Sequence, residues 1–190
     1  MKKFTPYVSI DLETTGLSSK SDILEIAAIF DDGGPIDELK KFHALIKYES
    51  FKHAEMYAIN LNKDLITEVM ISSESLPVET ALRYFERWLK ECRGLVSPKS
   101  PRLFVAGKNV AGFDMPLLGA NSDHYSYDTH NIINNFTHRT IDVGSMYFPH
   151  FGENVTLGKI NELTGRAANV SHRAMDDAMD VVVAIRHLMK

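Results

Sequence analysis

The stretch Tyr7-Val8-Ser9-Ile10-Asp11-Leu12-Glu13-Thr14-Thr15-Gly16-Leu17 decides how the rest of the chain is read. Residues 7 to 14 alternate with a period of two, so as a β-strand they place Tyr7, Ser9, Asp11 and Glu13 on one face and Val8, Ile10 and Leu12 on the other. Acids are poor strand formers, and two on the same side lie only about 6.6 Å apart along the strand. Their mutual repulsion calls for a positive partner, and a divalent cation is the natural one. Mg²⁺ and Mn²⁺ favour carboxylate oxygen and water, whereas zinc would ask for a His and Cys cluster that the sequence does not offer.

Working outward, residues 23 to 32 read as a second strand rich in Ile, Leu, Ala and Phe. Gly33, Gly34 and Pro35 break the chain before a third strand over residues 39 to 47. Three such strands form an antiparallel meander. Residues 54 to 70 read as at least partly helical. Pro77 to Cys92 reads as a clearer helix, with Ala81, Leu82, Phe85, Trp88 and Leu89 on one buried stripe. A fourth strand is expected over residues 102 to 107, a short helix from about Pro116, and a polar surface excursion over residues 119 to 139, which carries Tyr125 and Tyr127. A short fifth strand near residues 140 to 143 and helices over residues 156 to 164 and from Arg173 onward complete the reading. Strands that first meander and then alternate with helices imply an α/β fold: a mixed five-stranded sheet, flanked by helices.

The chain has 190 residues, one cysteine, and 21 basic against 25 acidic side chains, for a formal net charge of -4. That length fits one compact domain over residues 1–190. No run of about 18 apolar residues or leader-like start is present, so no membrane span is expected. A lone Cys92 excludes an internal disulfide and points to a reducing compartment, the cytoplasm. The negative charge argues against a globally basic nucleic-acid module, so a polyanionic substrate must be met locally, by a basic strip or by bound cations. Arg83, Arg87, Lys90 and Arg93 fall on the solvated side of the Pro77 helix; Lys108, Lys159, Arg166 and Arg173 lie in segments nearer the acids and are the better candidates for phosphate contacts.

Two further acids stand at positions that ask for an explanation. In the last helix Ala174, Ala178, Val181, Ile185 and Leu188 form the apolar stripe. At about 100° per residue Asp177 lies at its border, some 80° from the centre, while Asp176 and Asp180, roughly 180° and 140° away, are expected in solvent. His172 precedes this helix, where a general base is expected beside an acid cluster. Asp114 follows the fourth strand, and ligands of open α/β sheets bind beyond the carboxyl ends of strands. Asp142 is expected to cap a helix or support a neighbour, not to be a metal ligand itself.

Taken together, Asp11-Leu12-Glu13-Thr14-Thr15-Gly16-Leu17, Phe113-Asp114 and His172-Arg173-Ala174-Met175-Asp176-Asp177-Ala178 resemble, in order and spacing, the three motifs of the DEDD exonucleases. The resemblance is to the subclass with a catalytic histidine, on a ribonuclease H-like fold, which includes proofreading subunits, ribonuclease T and oligoribonuclease. It covers essentially the whole chain. It implies hydrolysis of single-stranded DNA or RNA from a free 3′ end, releasing 5′-mononucleotides. Asp11, Glu13, Asp114 and Asp177 would bind two Mg²⁺ or Mn²⁺ ions, and His172 would deprotonate the attacking water. By the same resemblance Thr14, Thr15, Leu17, Asn109 and Phe113 fall at substrate-contacting positions. Asn109 stands five residues before Asp114 where relatives often have it at four, and Lys108 stands where a histidine is common. A polymerase or another replication or repair protein is an implied partner. Two other readings share these residues: a binding or assembly subunit without turnover, and a hydrolase of short oligonucleotides.

Overall fold

The computed structural model describes residues 4–48, 52–96, 102–125, 132–168 and 172–189. Five strands form one sheet in the order β3-β2-β1-β4-β5: β1 Tyr7–Thr14, β2 Ile23–Asp31, β3 Lys40–Leu45, β4 Leu103–Gly107 and β5 Phe136–Asp142. β1, β2 and β3 pair antiparallel, while β4 lies parallel to β1, and β5 parallel to β4. This is the mixed sheet expected from the strand order. The helices are α1 Met56–Leu61, α2 Lys63–Ile71, α3 Val78–Leu95, α4 Asp114–Tyr125, α5 Val143–Phe151, α6 Leu157–Thr164 and α7 Ala174–His187.

The alternation in β1 sorts two cores onto the two faces of the sheet. Val8, Ile10 and Leu12 pack with Ala81, Leu82, Phe85, Trp88 and Leu89 of α3. Tyr7, on the other face, packs with Tyr147 of α5, Ile160 of α6 and Ala178, Val181 and Ile185 of α7. Helices cover both faces, which explains why β2 is an unbroken buried run, Ile-Leu-Glu-Ile-Ala-Ala-Ile-Phe-Asp, and not an alternating one. Within it Leu24 meets Leu65, Ile66 and Val69 of α2 in a third, smaller cluster. Phe85 is fully buried, and its truncation to alanine would cost about 3–5 kcal/mol.

Several expectations are corrected. Most of the segment 119–139 is not a surface excursion: α4 runs on to Tyr125, and β5 begins at Phe136, four residues before the expected strand. The polar residues that suggested a loop are used inside: Asn121 donates to the Leu117 carbonyl, Ser122 Oγ accepts from the Ile132 N–H and Asn135 donates to the Ile132 carbonyl. Tyr125 packs partly buried against the α3 core, and Tyr127 lies outside the described residues. α5 was not expected. Pro149 and Gly144 disguise it, but Asp142 caps its start, accepting from Ser145 N at 2.8 Å, and Gly152 closes it in the left-handed conformation at φ 71. Pro77 is the cap preceding α3, not its first turn. Asp180 is buried, not in solvent. α6 packs along α7, and the Asp180 carboxylate is held by Asn161 Nδ2 and Arg166 Nε.

Candidate active site

β1 delivers Asp11 and Glu13 side by side toward α7. Ser9 Oγ, on the same face of β1, donates to the Ala178 carbonyl at 2.8 Å and pins the first half of α7 against the strand. Asp177 precedes Ala178, so the pin sets its carboxyl beside Asp11, the next residue along that face. Carboxylate oxygens of Asp11, Glu13 and Asp177 all lie within 4.8 Å of one another. Asp114 arrives from the other direction. A turn over residues 109–113 leads from β4 into α4, with Gly112 and Phe113 N–H groups donating to the Asn109 carbonyl. The Asp114 carboxylate then accepts from its own N–H and from that of Leu12.

The electrostatics are those of charges crowded away from water. Burial raises the pKa of Asp11 far above its ordinary value, and the neighbouring Asp114, Asp177 and Glu13 push it the same way. Burial also lifts Asp114 to about 8, against its backbone hydrogen bonds. Asp177 rises to about 7 through burial and then the charge of Glu13. Glu13 rises to about 7 through burial, which outweighs a hydrogen bond from Asn62. Oδ1 of Asp114 and Oδ1 of Asp177 are buried with no hydrogen-bond partner among the described residues. Clustered, partner-poor carboxylate oxygens are the donor set of a hard divalent cation. Asp11, Glu13 and Asp177 could hold a metal ion, with Asp114 against the same cluster.

His172 is exposed at the entry to α7 with φ 50, in the left-handed region that histidine tolerates better than most residues. The next residue, Arg173, is anchored: Nε and Nη2 face the Glu25 carboxylate, and Nη1 lies 3.0 Å from Glu68 Oε2. Glu25 sits opposite Glu13 in the β1–β2 register, 1% exposed, and its Oε2 also accepts from Ala174 N at 3.1 Å. His43 Nε2 stands 2.6 Å from the other oxygen, Oε1. Burial opposes the charge of Glu25, but His43, the Ala174 N–H and Arg173 together hold its pKa below the usual value. The motifs did not assign this clamp a role. Its signal was an acid between the apolar residues at the start of β2 and an arginine directly after His172.

The turn after β1 is a rigid fixture. Thr14 Oγ1 donates to the Gly16 carbonyl at 2.7 Å, and Thr15 Oγ1 accepts from Asp22 N at 3.0 Å. Glu55 ties the turn to the start of α1, its N–H donating to Thr15 O at 2.8 Å and its carboxylate accepting from Leu17 N at 3.0 Å. A Cβ at Gly16 would stand 2.8 Å from Ser21 Oγ and 3.0 Å from Glu55 Cγ, which is why the closure needs glycine. Leu17 is left 70% exposed beside the site. Asn109 has φ 59, and its N–H donates to Asp142 Oδ2 at 2.5 Å; Phe113 packs partly buried on the α3 core. The basic side chains expected near the acids are bonded within the chain: Lys108 to Asn154, Lys159 to Glu153, Arg166 to Asp180, and Arg173 to Glu25 and Glu68.

A sequence model of the RNase T exonuclease family matches residues 8–184, from β1 to α7. The chain belongs to this family of DEDD 3′–5′ exonucleases. The PolC-type DNA polymerase III of Staphylococcus haemolyticus (strain JCSC1435) is 29% identical over 127 residues, 66% of this chain and 7% of the polymerase. Among solved structures, the zinc-bound complex of Escherichia coli exonuclease I with single-stranded DNA superposes with a TM-score of 0.72 at 15% identity, over 98% of this chain and 40% of that one. Exonuclease I of E. coli in complex with a dA16 oligonucleotide gives a TM-score of 0.70 at 14% identity, over 98% and 41% of the two chains. Cell-death related nuclease 4 gives 0.65 at 12% identity, over 98% and 64%. These likenesses establish the ribonuclease H-like exonuclease fold. The exonuclease-family chain thus spans under half of exonuclease I and a small fraction of the polymerase it matches.

Proposed function

We propose that residues 1–190 act as a single exonuclease domain that removes 5′-mononucleotides from the 3′ end of single-stranded DNA or RNA. The observation that carries this reading is the convergence of Asp11, Glu13 and Asp177 oxygens within 4.8 Å, in a place where burial opposes their charge. With Asp114 they form the set that would hold two Mg²⁺ or Mn²⁺ ions. The chemistry such ions supply when bound is neutralisation of the phosphate and stabilisation of charge on the attacking and leaving oxygens.

The chain's own residues do the rest. β1 carries Asp11 and Glu13, and α7 and α4, each packed on β1, would bring Asp177 and Asp114 to the same spot. His172, exposed at the mouth, takes the proton from the attacking water as general base, a role supported by its position five residues before Asp177. Thr14 and Thr15 shape the turn that presents backbone groups to the terminal sugar, and Leu17 offers apolar surface to its base. Asn109 and Phe113, in the turn that leads into α4, would contact the substrate from that side. No helix among the described residues is long and apolar enough to cross a membrane. With Cys92 free and buried, we place the chain in the cytoplasm, where a polymerase or repair protein is a fitting partner.

The test is incubation with 5′-labelled single-stranded DNA and RNA in Mg²⁺, Mn²⁺ or EDTA. Stepwise shortening with either metal, abolished by EDTA, is the expected result. A strand that is bound but never shortened would mean a scaffold without turnover, and cleavage confined to dinucleotides would mean a short-oligonucleotide hydrolase.

A further inference from the structure

A cleft of about 680 Å³ opens between three segments. The β1–β2 loop contributes Lys20 and Asp22, the segment ahead of α1 contributes Lys52 and His53, and the last turns of α4 contribute Asn121, His124 and Tyr125. Each wall is tied to the site by hydrogen bonds or by the helix itself. Asp22 pairs through its backbone with Thr15, and Ser21 Oγ donates to the His53 carbonyl at 3.2 Å. α4 begins at Asp114. At 1.5 Å per residue, Asn121 lies about 10 Å along that helix from Asp114 and Tyr125 about 16 Å. The cleft is therefore within reach of a strand of a few nucleotides whose end lies at the carboxylates.

Its chemistry fits such a strand. Lys20 and Lys52 outweigh the one acid of the lining, Asp22, and provide positive charge for phosphates, and the His124 and Tyr125 rings meet edge to face at 4.5 Å and 83°, offering ring surface for bases. Cationic side chains interleaved with rings are how single-stranded nucleic acid is gripped without regard to sequence. Asn121, 7% exposed and hydrogen-bonded to the Leu117 carbonyl, fixes the floor. We propose that this cleft binds the single-stranded segment immediately preceding the scissile bond, through phosphate contacts from Lys20 and Lys52 and stacking on the His124–Tyr125 pair. It rests on the exonuclease reading and adds to it a substrate-length preference built into the chain.

The experiment compares wild type with Lys20→Ala/Lys52→Ala and with His124→Ala, using a dinucleotide and a single strand of about ten nucleotides, a typical span for such grooves. All three substituted side chains are exposed, so the core is untouched. In each variant the ratio of kcat/KM for the long strand to that for the dinucleotide is expected to fall about tenfold, the size of a single stacking or charge interaction. For the lysine variant the log–log dependence of KM on salt should also flatten by about 0.7 for each phosphate no longer neutralised. An unchanged ratio, or an equal drop in activity on both substrates, would overturn the cleft assignment. A wild-type protein that hydrolyses neither substrate would instead overturn the exonuclease reading.

Discussion

Glu25 in β2 and Arg173 at the cap of α7, 148 positions apart, meet as a paired fork: Nη2 lies 3.3 Å from Oε1 and Nε 3.4 Å from Oε2. Arg173 stands between His172 and the helix that carries Asp177, so this contact fixes both from one point. Glu25 is buried and bonds to Arg173 and the Ala174 N–H; in the proposed mechanism it is a positioning residue. Substituting Glu25→Gln preserves shape while weakening the grip. We expect kcat to fall by about 10²-fold, the cost of displacing a reacting group by roughly 1 Å, with KM little changed at temperatures where both proteins are folded and with a lower melting temperature from the lost Glu25 charge. Equal kcat in the two proteins would show that the clamp only holds the fold.

Without metal, stability should fall as pH rises. Asp114 titrates near 8, and Asp177 and Glu13 near 7, against ordinary values of 3.8 and 4.5. Groups with raised pKa values keep their protons in the folded state. Their contribution is fully present below the unfolded values and is lost as pH climbs through about 7 to 8. Glu25 and Asp31 are shifted the other way, so their contribution is lost below about pH 4. In EDTA the melting temperature should peak near about pH 5 and decline toward about pH 8, and Mn²⁺ should restore more at the upper end. A melting temperature in EDTA that rises across this interval would contradict the crowding of the carboxylates.

A second buried ion pair serves the fold alone. Asp31, fully buried at the end of β2, accepts from Tyr7 Oη at 2.7 Å and from Arg186 Nε at 2.9 Å and Nη2 at 2.5 Å. These partners overcome the cost of burial and hold its pKa below the usual value. Arg186→Ala strands the Asp31 charge and should cost about 3–5 kcal/mol by denaturant unfolding. A cost below about 1 kcal/mol, the level of a surface pair, would mean that water reaches Asp31 in its place.

Much of this was legible in the sequence because it rests on short-range periodicity. The Asp11 and Glu13 pair follows from a period of two, and Asp177 at the edge of an apolar stripe follows from the helical period. What escaped depends on partners remote in sequence. Asp180 looked exposed because its angle from the stripe is large, yet α6 brings Asn161 and Arg166 to cover it. α5 escaped because Pro149 breaks the local pattern, while the cap that starts it, Asp142, also serves the Asn109 turn. The segment 119–139 looked like a loop because its asparagines and serine are polar, although they bond to backbone inside the fold. Glu25 could be seen but not assigned, since its partners come from β3 and the cap of α7.

The division of labour between the carboxylates and His172 is tested most directly by calorimetric titration of Mn²⁺ into wild type, Asp11→Ala and His172→Ala, each also assayed on a labelled single strand. Asp11→Ala should lose both metal binding and hydrolysis. His172→Ala should bind Mn²⁺ as wild type does while its rate drops by about 10²- to 10⁴-fold, the contribution of a positioned base. Equal Mn²⁺ affinity in wild type and Asp11→Ala would contradict a carboxylate-held metal centre.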